Sequence, residues 1–210
     1  GGRGQVVFHD LPAFQAYLDR PDAAQLLAAG AVLEEHLRDV ATYSVGQLCV
    51  GAQLLSYFGT QHLSETPSGE LAYGGSDLLV VRGDYARLIT LDLAGQVRLA
   101  IEQAQRFDAA ANATFPSFYA SRRNYDIARG IDGHGATRSG VLEQSWRMGG
   151  ASSAEVGALQ AFIDNPQLRV VRAASFEIFH DNAVEVFRGH DEELGLLIKY
   201  AMVEPYDGEK

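Results

Sequence analysis

The chain has 210 residues, of which 47% are hydrophobic and 21% are charged, and its formal net charge is -10. This composition is typical of a globular protein with one large domain or two small lobes, and it excludes disordered and fibrous chains. The negative charge argues against a nucleic-acid binder, which needs a basic face to neutralise phosphates. No apolar run approaches the roughly 20 residues that cross a bilayer, and no signal peptide is recognisable, so we expect a cytoplasmic protein.

The basic residues are unusual in kind, because Lys199 and Lys210 are the only lysines among 17 basic residues. Cationic chemistry therefore falls almost entirely to arginine, whose planar guanidinium suits bidentate contact with phosphate or carboxylate. An arginine-biased genome explains the same pattern equally well. The single Cys49 lies in an apolar, strand-like run, so we expect a buried hydrophobic side chain rather than a nucleophile.

The chain opens on a glycine-rich run without an initiator methionine, Gly1-Gly2-Arg3-Gly4-Gln5, which suggests a fragment of a longer protein. Small residues let backbone N–H groups approach phosphate oxygens, and Arg3 would add charge, although a flexible chain end is the alternative. A cap residue, Asp10, and an early proline predict a short helix over 11–18. The apolar run at 31–35 predicts a strand.

In the middle of the chain, two strands at 43–50 and 53–58 are predicted to form a hairpin around Gly51-Ala52. The turn-forming residues at 66–69, with Pro67 and Gly69, and the glycine pair at 74–77 predict loops. Regular apolar spacing from Gln96 to Ala109 predicts an amphipathic helix whose apolar side faces the core.

A second hairpin is predicted over 121–131 and 137–144, around a turn with two glycines, Gly133 and Gly135. Symmetrical pairing about this turn puts Ile131 opposite Ala136. A β-bulge would change that register and move side chains to the other face.

The symmetrical register places Asp126 and Glu143 on one face as diagonal neighbours, roughly 7 to 8 Å apart at the backbone. Two carboxylates at this separation can converge on one hard cation. Two solvated acids on an exposed sheet face are the alternative.

The third part of the chain has a loop with Gly149 and Gly150, followed by Ser152-Ser153-Ala154-Glu155 at the spacing of a capping box. The start of the predicted helix favours an anion, and Arg147 would project towards it, although ordinary capping without a ligand is the alternative. Strands are predicted over 170–179, 184–187 and 194–203.

In this order, the features resemble the ATP-grasp superfamily: a glycine loop, a short helix, a hinge strand at 32–37, a hairpin with Asp126, and the strand 141–147. The resemblance spans most of residues 1 to about 153. The opening is similar to biotin carboxylase and to the ATP-dependent carboxylase of purine synthesis. The phrases at 140–147 and 73–78 are more similar to an uncharacterised, biotin-carboxylase-like bacterial family.

The resemblance implies an α+β ATP-grasp fold, in which antiparallel sheet lobes with packed helices grip ATP, incomplete at the N-terminus. Residues 1–36 would be the remnant of the first lobe, and residues 37–210 would form the second lobe with the metal site. The implied activity is that of a ligase, which uses ATP to activate a small carboxylate as an acyl phosphate for an amine or thiol. The implied cofactors are ATP and Mg2+, with Mn2+ as the alternative cation.

The resemblance also implies residue roles. The phosphates would be covered by Gly1, Gly2, Arg3, Gly4 and Gln5. The adenine would be bound by Glu34, Glu35, His36 and Leu37, and the ribose by Asp39. The metal ligands would be Asp126, Glu143 and Ser145, of which Ser145 stands where the superfamily has asparagine. Arg147 would stabilise the acyl phosphate or hold the acid substrate. The substrate and its phosphate would be bound by Arg82, Gly149, Gly150 and Ser152, with Arg122 and Arg123 as weaker candidates.

Two other functions remain open at this point: a catalytically silent nucleotide-binding module, and a structural domain whose carboxylates are surface charge. Mg2+-dependent ATP binding separates the structural domain from the other two. As a fragment, the chain is expected to be poorly active. The acid substrate does not follow from the sequence, and a monomer and a homodimer are both compatible with it.

Overall fold

The computed structural model of the protein describes residues 6–20, 28, 30–180, 187–192 and 195–206. The chain divides into two compact units, one of Gly1–Asp39 with Gly130–Arg138, and one of Val40–Arg129 with Ser139–Lys210. The division of the chain into two lobes at 1–36 and 37–210 stays a prediction.

Eight strands of the described residues form one sheet in the order β5-β4-β1-β2-β3-β6-β8-β7. The pairs β1/β2, β2/β3, β3/β6, β6/β8 and β7/β8 are antiparallel. The α+β class is therefore confirmed. The strands are β1 Arg38–Val50, β2 Gln53–Glu65, β3 Leu71–Arg82, β4 Arg122–Ile131, β5 Thr137–Ser145, β6 Val170–Ile178, β7 Phe187–Asp191 and β8 Gly195–Pro205.

The described helices are α1 Leu11–Leu18, α2 Tyr85–Ile89, α3 Gly95–Thr114 and α4 Ser152–Asp164. Side chains alternate across a strand, so Val80 and Val81 face opposite sides of the sheet. Val80 packs with Phe162 of α4 in one core cluster, whereas Val81 packs with Ile101 of α3 in the other. The larger unit therefore has helices on both faces of its sheet.

The predicted helix at 11–18 is confirmed as α1. The Asp10 carboxylate accepts a hydrogen bond from the Ala13 N–H at 2.7 Å, which caps the helix start. The strand predicted at 31–35 is wrong, because these residues adopt no regular structure and Val32 is 86% exposed. An apolar run without a neighbouring strand or core to cover it does not form a strand.

The first hairpin is confirmed, with Val50 opposite Gln53 across the Gly51 turn. The loop at 66–69 is also confirmed, but the loop predicted at 74–77 lies inside β3. Gly75 has a φ of 140°, and a Cβ there would overlap the carbonyl oxygen of Ser175 in β6. This glycine therefore permits a close approach of two strands rather than a turn.

The remaining predicted elements fall on α3, the β4/β5 hairpin, α4, β6 and β8, each within a few residues except that α3 extends to Thr114. Residues 184–186 of the predicted strand 184–187 lie outside the described residues, and β7 begins at Phe187. The short helix α2 has no counterpart among the predictions.

Candidate functional site

The sheet face that carries α4 is apolar along one part and polar along the next. Leu48, Leu55 and Val80 pack against α4. Every second residue of a strand faces the same side of the sheet, and further along these strands the residues on the α4 side carry hydroxyl and amide groups. With two side chains of β4, they form what we call the polar strip: Ser44, Gln61, Ser76, Asn124, Asp126 and Ser175.

Asp126 is the carboxylate of the polar strip. Its Oδ1 accepts hydrogen bonds from Ser44 Oγ at 2.8 Å and from Asn124 Nδ2 at 3.1 Å. Its Oδ2 lies 3.4 Å from Gln61 Nε2. Among the described residues, no basic side chain forms an ion pair with it. Neutral donors therefore fix the orientation of this carboxylate, and the Arg122 guanidinium acts on its charge only from beyond ion-pair distance.

A buried ion pair lies beside the polar strip. Arg122 is 4% exposed and Glu155 of α4 is 1% exposed. The Arg122 Nε lies 2.7 Å from Glu155 Oε2, and its Nη2 lies 2.8 Å from Oε1, so the contact is bidentate. Burial, the largest single effect, would lower the pKa of Arg122, but the hydrogen bond to Glu155 and the nearby Tyr57, Glu155 and Asp126 together raise it.

The third nitrogen of Arg122 fixes the chain that leads into α4. Its Nη1 donates to the Ser145 carbonyl and hydroxyl oxygens, each at 3.1 Å, and to the Arg147 carbonyl at 2.7 Å. The guanidinium thus connects β4, the end of β5 and α4 at one point. The conformation of the segment from Ser145 to Arg147 therefore depends on Arg122.

Tyr57 connects the ion pair to the polar strip. Its hydroxyl donates to Glu155 Oε1 at 2.5 Å and lies 3.0 Å from Asn124 Oδ1. Burial, followed by the negative charge of Glu155, raises the pKa of Tyr57 well above its usual range, so the hydroxyl stays protonated. A continuous polar network therefore runs from Arg122 through Glu155, Tyr57 and Asn124 to Asp126.

The predicted capping box at the start of α4 is wrong, because the Glu155 carboxylate contacts Arg122 and Tyr57 instead of the helix start. Ala151 is the N-cap without a side-chain hydrogen bond. The Gly149 N–H instead donates to Ser152 Oγ at 2.9 Å. A signal was present in the sequence: Glu155 shares its helical face with Ala158 and Phe162, at the spacing of core positions.

The loop before α4 holds several of the predicted site residues. A Cβ at Gly150 would overlap the Tyr73 ring, whereas one at Gly149 would lie 3.7 Å from Arg122 Nη1, an ordinary contact. The Arg147 side chain is exposed and its Nη1 donates to the Met148 carbonyl at 2.9 Å. Ser145, Arg147, Gly149, Gly150 and Ser152 are thus brought together beside the ion pair.

The turn of the second hairpin differs from the symmetrical prediction. The Asp132 N–H donates to the Ala136 carbonyl at 2.9 Å, so Asp132, not Ile131, lies opposite Ala136. Gly135, with a φ of 82°, takes the bulge position of such a turn. Hydrogen bonds from the Ala136 N–H and from Arg138 also lower the pKa of Asp132, despite its burial.

Glu143 is exposed, and the side chains around it fix two different faces of β5. Val141 packs with the cluster on the α3 side of the sheet, while Ser145 contacts Arg122 on the α4 side. Residues four apart in a regular strand share a face, so the alternation breaks once between them. If the break in alternation lies between Val141 and Glu143, the Glu143 side chain is on the α4 side of the sheet, together with Asp126.

The model of a family described as "Protein of unknown function (DUF3182)" matches residues 1–201. The chain belongs to this DUF3182 family. No curated protein matches it. No solved structure matches it either.

Arg82 of this DUF3182 chain does not lie with the other predicted residues. It donates to the Phe162 carbonyl, to the Leu168 carbonyl at 3.3 Å and to Gln53 Oε1 at 3.0 Å. The contact with Phe162 satisfies a carbonyl in the last turn of α4, a helix of 13 residues and therefore about 20 Å long. Arg123 is also occupied elsewhere, in an ion pair with Asp108 at 3.0 Å.

The nucleotide residues predicted for this DUF3182 chain belong to the smaller unit. Glu34, Glu35 and His36 are exposed and Leu37 is half-buried. Asp39 adopts a φ of 51°, which is uncommon for a residue other than glycine. The glycine loop predicted to cover the phosphates, residues 1–5, lies outside the described residues.

Within the described part of this DUF3182 chain, no three His, Cys, Asp or Glu residues form a metal-binding group. Mg2+ is commonly held by one or two carboxylates, phosphate oxygens and water, and the oriented Asp126 carboxylate fits such a ligand set.

No helix in the described segments is both long and apolar enough to cross a membrane.

Proposed function

We propose that this DUF3182 chain is the ATP- and Mg2+-binding part of an ATP-grasp ligase that activates a small carboxylate. The observation that carries the proposal is the Asp126 carboxylate, which is held by Ser44, Asn124 and Gln61 and forms no ion pair with a described residue. The same polar network ends at the loop of Arg147 and Gly149. A large antiparallel sheet with packed helices is compatible with the fold that such a ligase requires, and ATP chemistry fits a cytoplasmic protein.

Asp126 and Glu143 are the proposed metal ligands, together with water and phosphate oxygens. Bound Mg2+ would neutralise negative charge on the ATP phosphates. Ser145 is a weaker ligand, because its Oγ already accepts a hydrogen bond from the Arg122 guanidinium at 3.1 Å. The positive charge of Arg122 disfavours a cation at that oxygen. We therefore propose one metal ion rather than two.

Arg147 and the loop that follows it have the proposed electrostatic role. In the reaction, a carboxylate oxygen attacks the γ-phosphorus of ATP and ADP leaves; an amine or thiol then attacks the acyl carbon and phosphate leaves. Both steps develop negative charge on oxygen, which the exposed Arg147 guanidinium can stabilise. The Arg122 contacts hold the Arg147 backbone in place for this role.

Mg2+-dependent ATP binding tests the proposal. Isothermal titration of the full chain with ATP should show heat with Mg2+ and a much weaker signal with excess chelator. Asp126→Asn keeps the shape of the side chain but removes its charge, so we expect about tenfold weaker binding in Mg2+, or about 1.4 kcal/mol. Asp77→Asn is the matched control, because Asp77 is an exposed acid on the opposite face of the same sheet.

Equal ATP affinity with and without Mg2+, or full affinity in Asp126→Asn, would contradict the metal assignment. Glu143→Gln locates the break in β5 alternation: a loss like that of Asp126→Asn places Glu143 on the α4 side. Substrate-dependent ADP release then separates a ligase from a silent nucleotide-binding module. The engagement of Ser145 by Arg122 favours the silent module as the second candidate, because it removes a metal ligand.

A further inference from the structure

A small cavity lies between the start of α4 and strands β6 and β8. Its volume is about 160 Å³, which is below the roughly 300 to 1,000 Å³ of pockets for drug-sized ligands. A group of a few heavy atoms fits this space. Residues that line it include Gly150, Ser153, Phe176, Glu177, Lys199 and Tyr200.

One wall of this cavity carries two opposite charges in contact. Glu177 of β6 lies opposite Lys199 of β8, and the Lys199 Nζ is 2.9 Å from Glu177 Oε1. The Glu177 side chain is 16% exposed and that of Lys199 is 46% exposed. The acid therefore depends on a cationic partner, while the lysine can still turn towards a ligand.

The charges of Glu177 and Lys199 determine which class of ligand the cavity favours. A phosphate or a simple carboxylate would contact Lys199 but would also meet the negative charge of Glu177. A simple amine would meet the positive charge of Lys199. A ligand with both charges satisfies both side chains at once.

The spacing of the pair narrows this class further. In an α-amino acid, the ammonium and the carboxylate are carried by adjacent carbons, which matches a protein pair whose charged atoms are 2.9 Å apart. A zwitterion with widely separated charges does not match it.

We propose that this cavity binds a small α-amino acid, with its carboxylate at Lys199 and its ammonium at Glu177. That the amino acid is a substrate of the ligase rests on the proposed function. That the cavity binds an amino acid does not depend on the proposed function. The site also gives a role to Lys199, one of the only two lysines in the chain.

Ligand-observed NMR with the full chain, in the absence of nucleotide, tests the site. The probes are L-alanine, propionate, which lacks the ammonium, ethylamine, which lacks the carboxylate, and inorganic phosphate. We expect L-alanine to bind about tenfold or more tightly than any other probe, because each of these leaves a charged group without its partner. Glu177→Gln and Lys199→Met should each weaken L-alanine binding by a similar factor.

Glu204→Gln is the matched control, since Glu204 is an exposed acid of the same strand as Lys199. No binding of L-alanine, equal binding of propionate or phosphate, or full binding by Lys199→Met would each overturn the proposal. Because nucleotide is absent, these outcomes are independent of ATP binding. Retained Mg2+-dependent ATP binding with no amino-acid binding would refute this site alone.

Discussion

Replacing Glu155 with glutamine would leave the Arg122 guanidinium buried without a negative partner. Arg122 is 4% exposed and makes a bidentate contact with Glu155, so its charge has no access to water in compensation. Breaking a buried pair at one partner costs about 3 to 5 kcal/mol. Arg122→Met should cost a similar amount, because Glu155 then keeps only the hydroxyl of Tyr57.

The double variant distinguishes a charge effect from a packing effect. With Arg122→Met and Glu155→Gln together, no unpaired charge is buried. The double variant should therefore be destabilised by less than the sum of the two single variants. We expect a coupling free energy of about 3 kcal/mol, at the upper end for residues in contact.

Urea unfolding followed by tryptophan fluorescence measures these free energies. Trp146 is the only tryptophan of the chain, lies in the same unit as the pair, and donates to the Tyr125 hydroxyl at 3.2 Å. With a slope of about 2 kcal/mol per molar urea, a loss of 4 kcal/mol lowers the midpoint by about 2 M. Lys199→Met, at a half-exposed pair, is the control and should cost about 0 to 1 kcal/mol. Strictly additive single effects, or losses no larger than the control, would refute the reasoning.

Gly150→Ala should lower the free energy of unfolding by about 1 to 3 kcal/mol in the same urea assay, because its Cβ overlaps the Tyr73 ring. Gly149→Ala, with its nearest contact at 3.7 Å, is the matched control, and equal effects would contradict the prediction. Raising the pH above about 10 should also destabilise the protein. Burial raises the pKa of Tyr57, Tyr85 and Tyr125 far more than that of Tyr73. The unfolded chain therefore releases the protons of these three tyrosines first, and stability falls by up to about 1.4 kcal/mol per pH unit for each. A phenolate absorbance titration should show them protonated in the native protein at about pH 11, and their full ionisation there without unfolding would contradict this.

The sequence predicted those elements of the fold whose signals are local. The Asp10 cap, the Gly51 turn and the helical spacing of α3 each act within a few residues, and the structure has all three. The run at 31–35 and the glycines at 74–77 failed for a common reason. Whether an apolar run becomes a strand, or a glycine becomes a turn, depends on neighbours that are distant in sequence.

The candidate site shows the same limit. Asp126 could be selected from its strand, but Ser44, which orients it, is 82 residues away. Glu155 fitted a local capping pattern that was outweighed by a buried arginine 33 residues earlier. The β5 register could not be predicted because the Asp132 turn has a bulge position and the strand breaks its alternation once more. No residue pattern marks either irregularity as clearly as the two glycines mark the turn itself.

The contact between Arg122 and Glu155 also restricts how this family can diverge. A lineage that lost either residue alone would pass through a protein with an unpaired buried charge, which selection on folding would remove. Neutral replacements are therefore accessible mainly when both positions change within a short interval. Related chains should carry the arginine and the glutamate together or replace both, even where the residues between them have drifted.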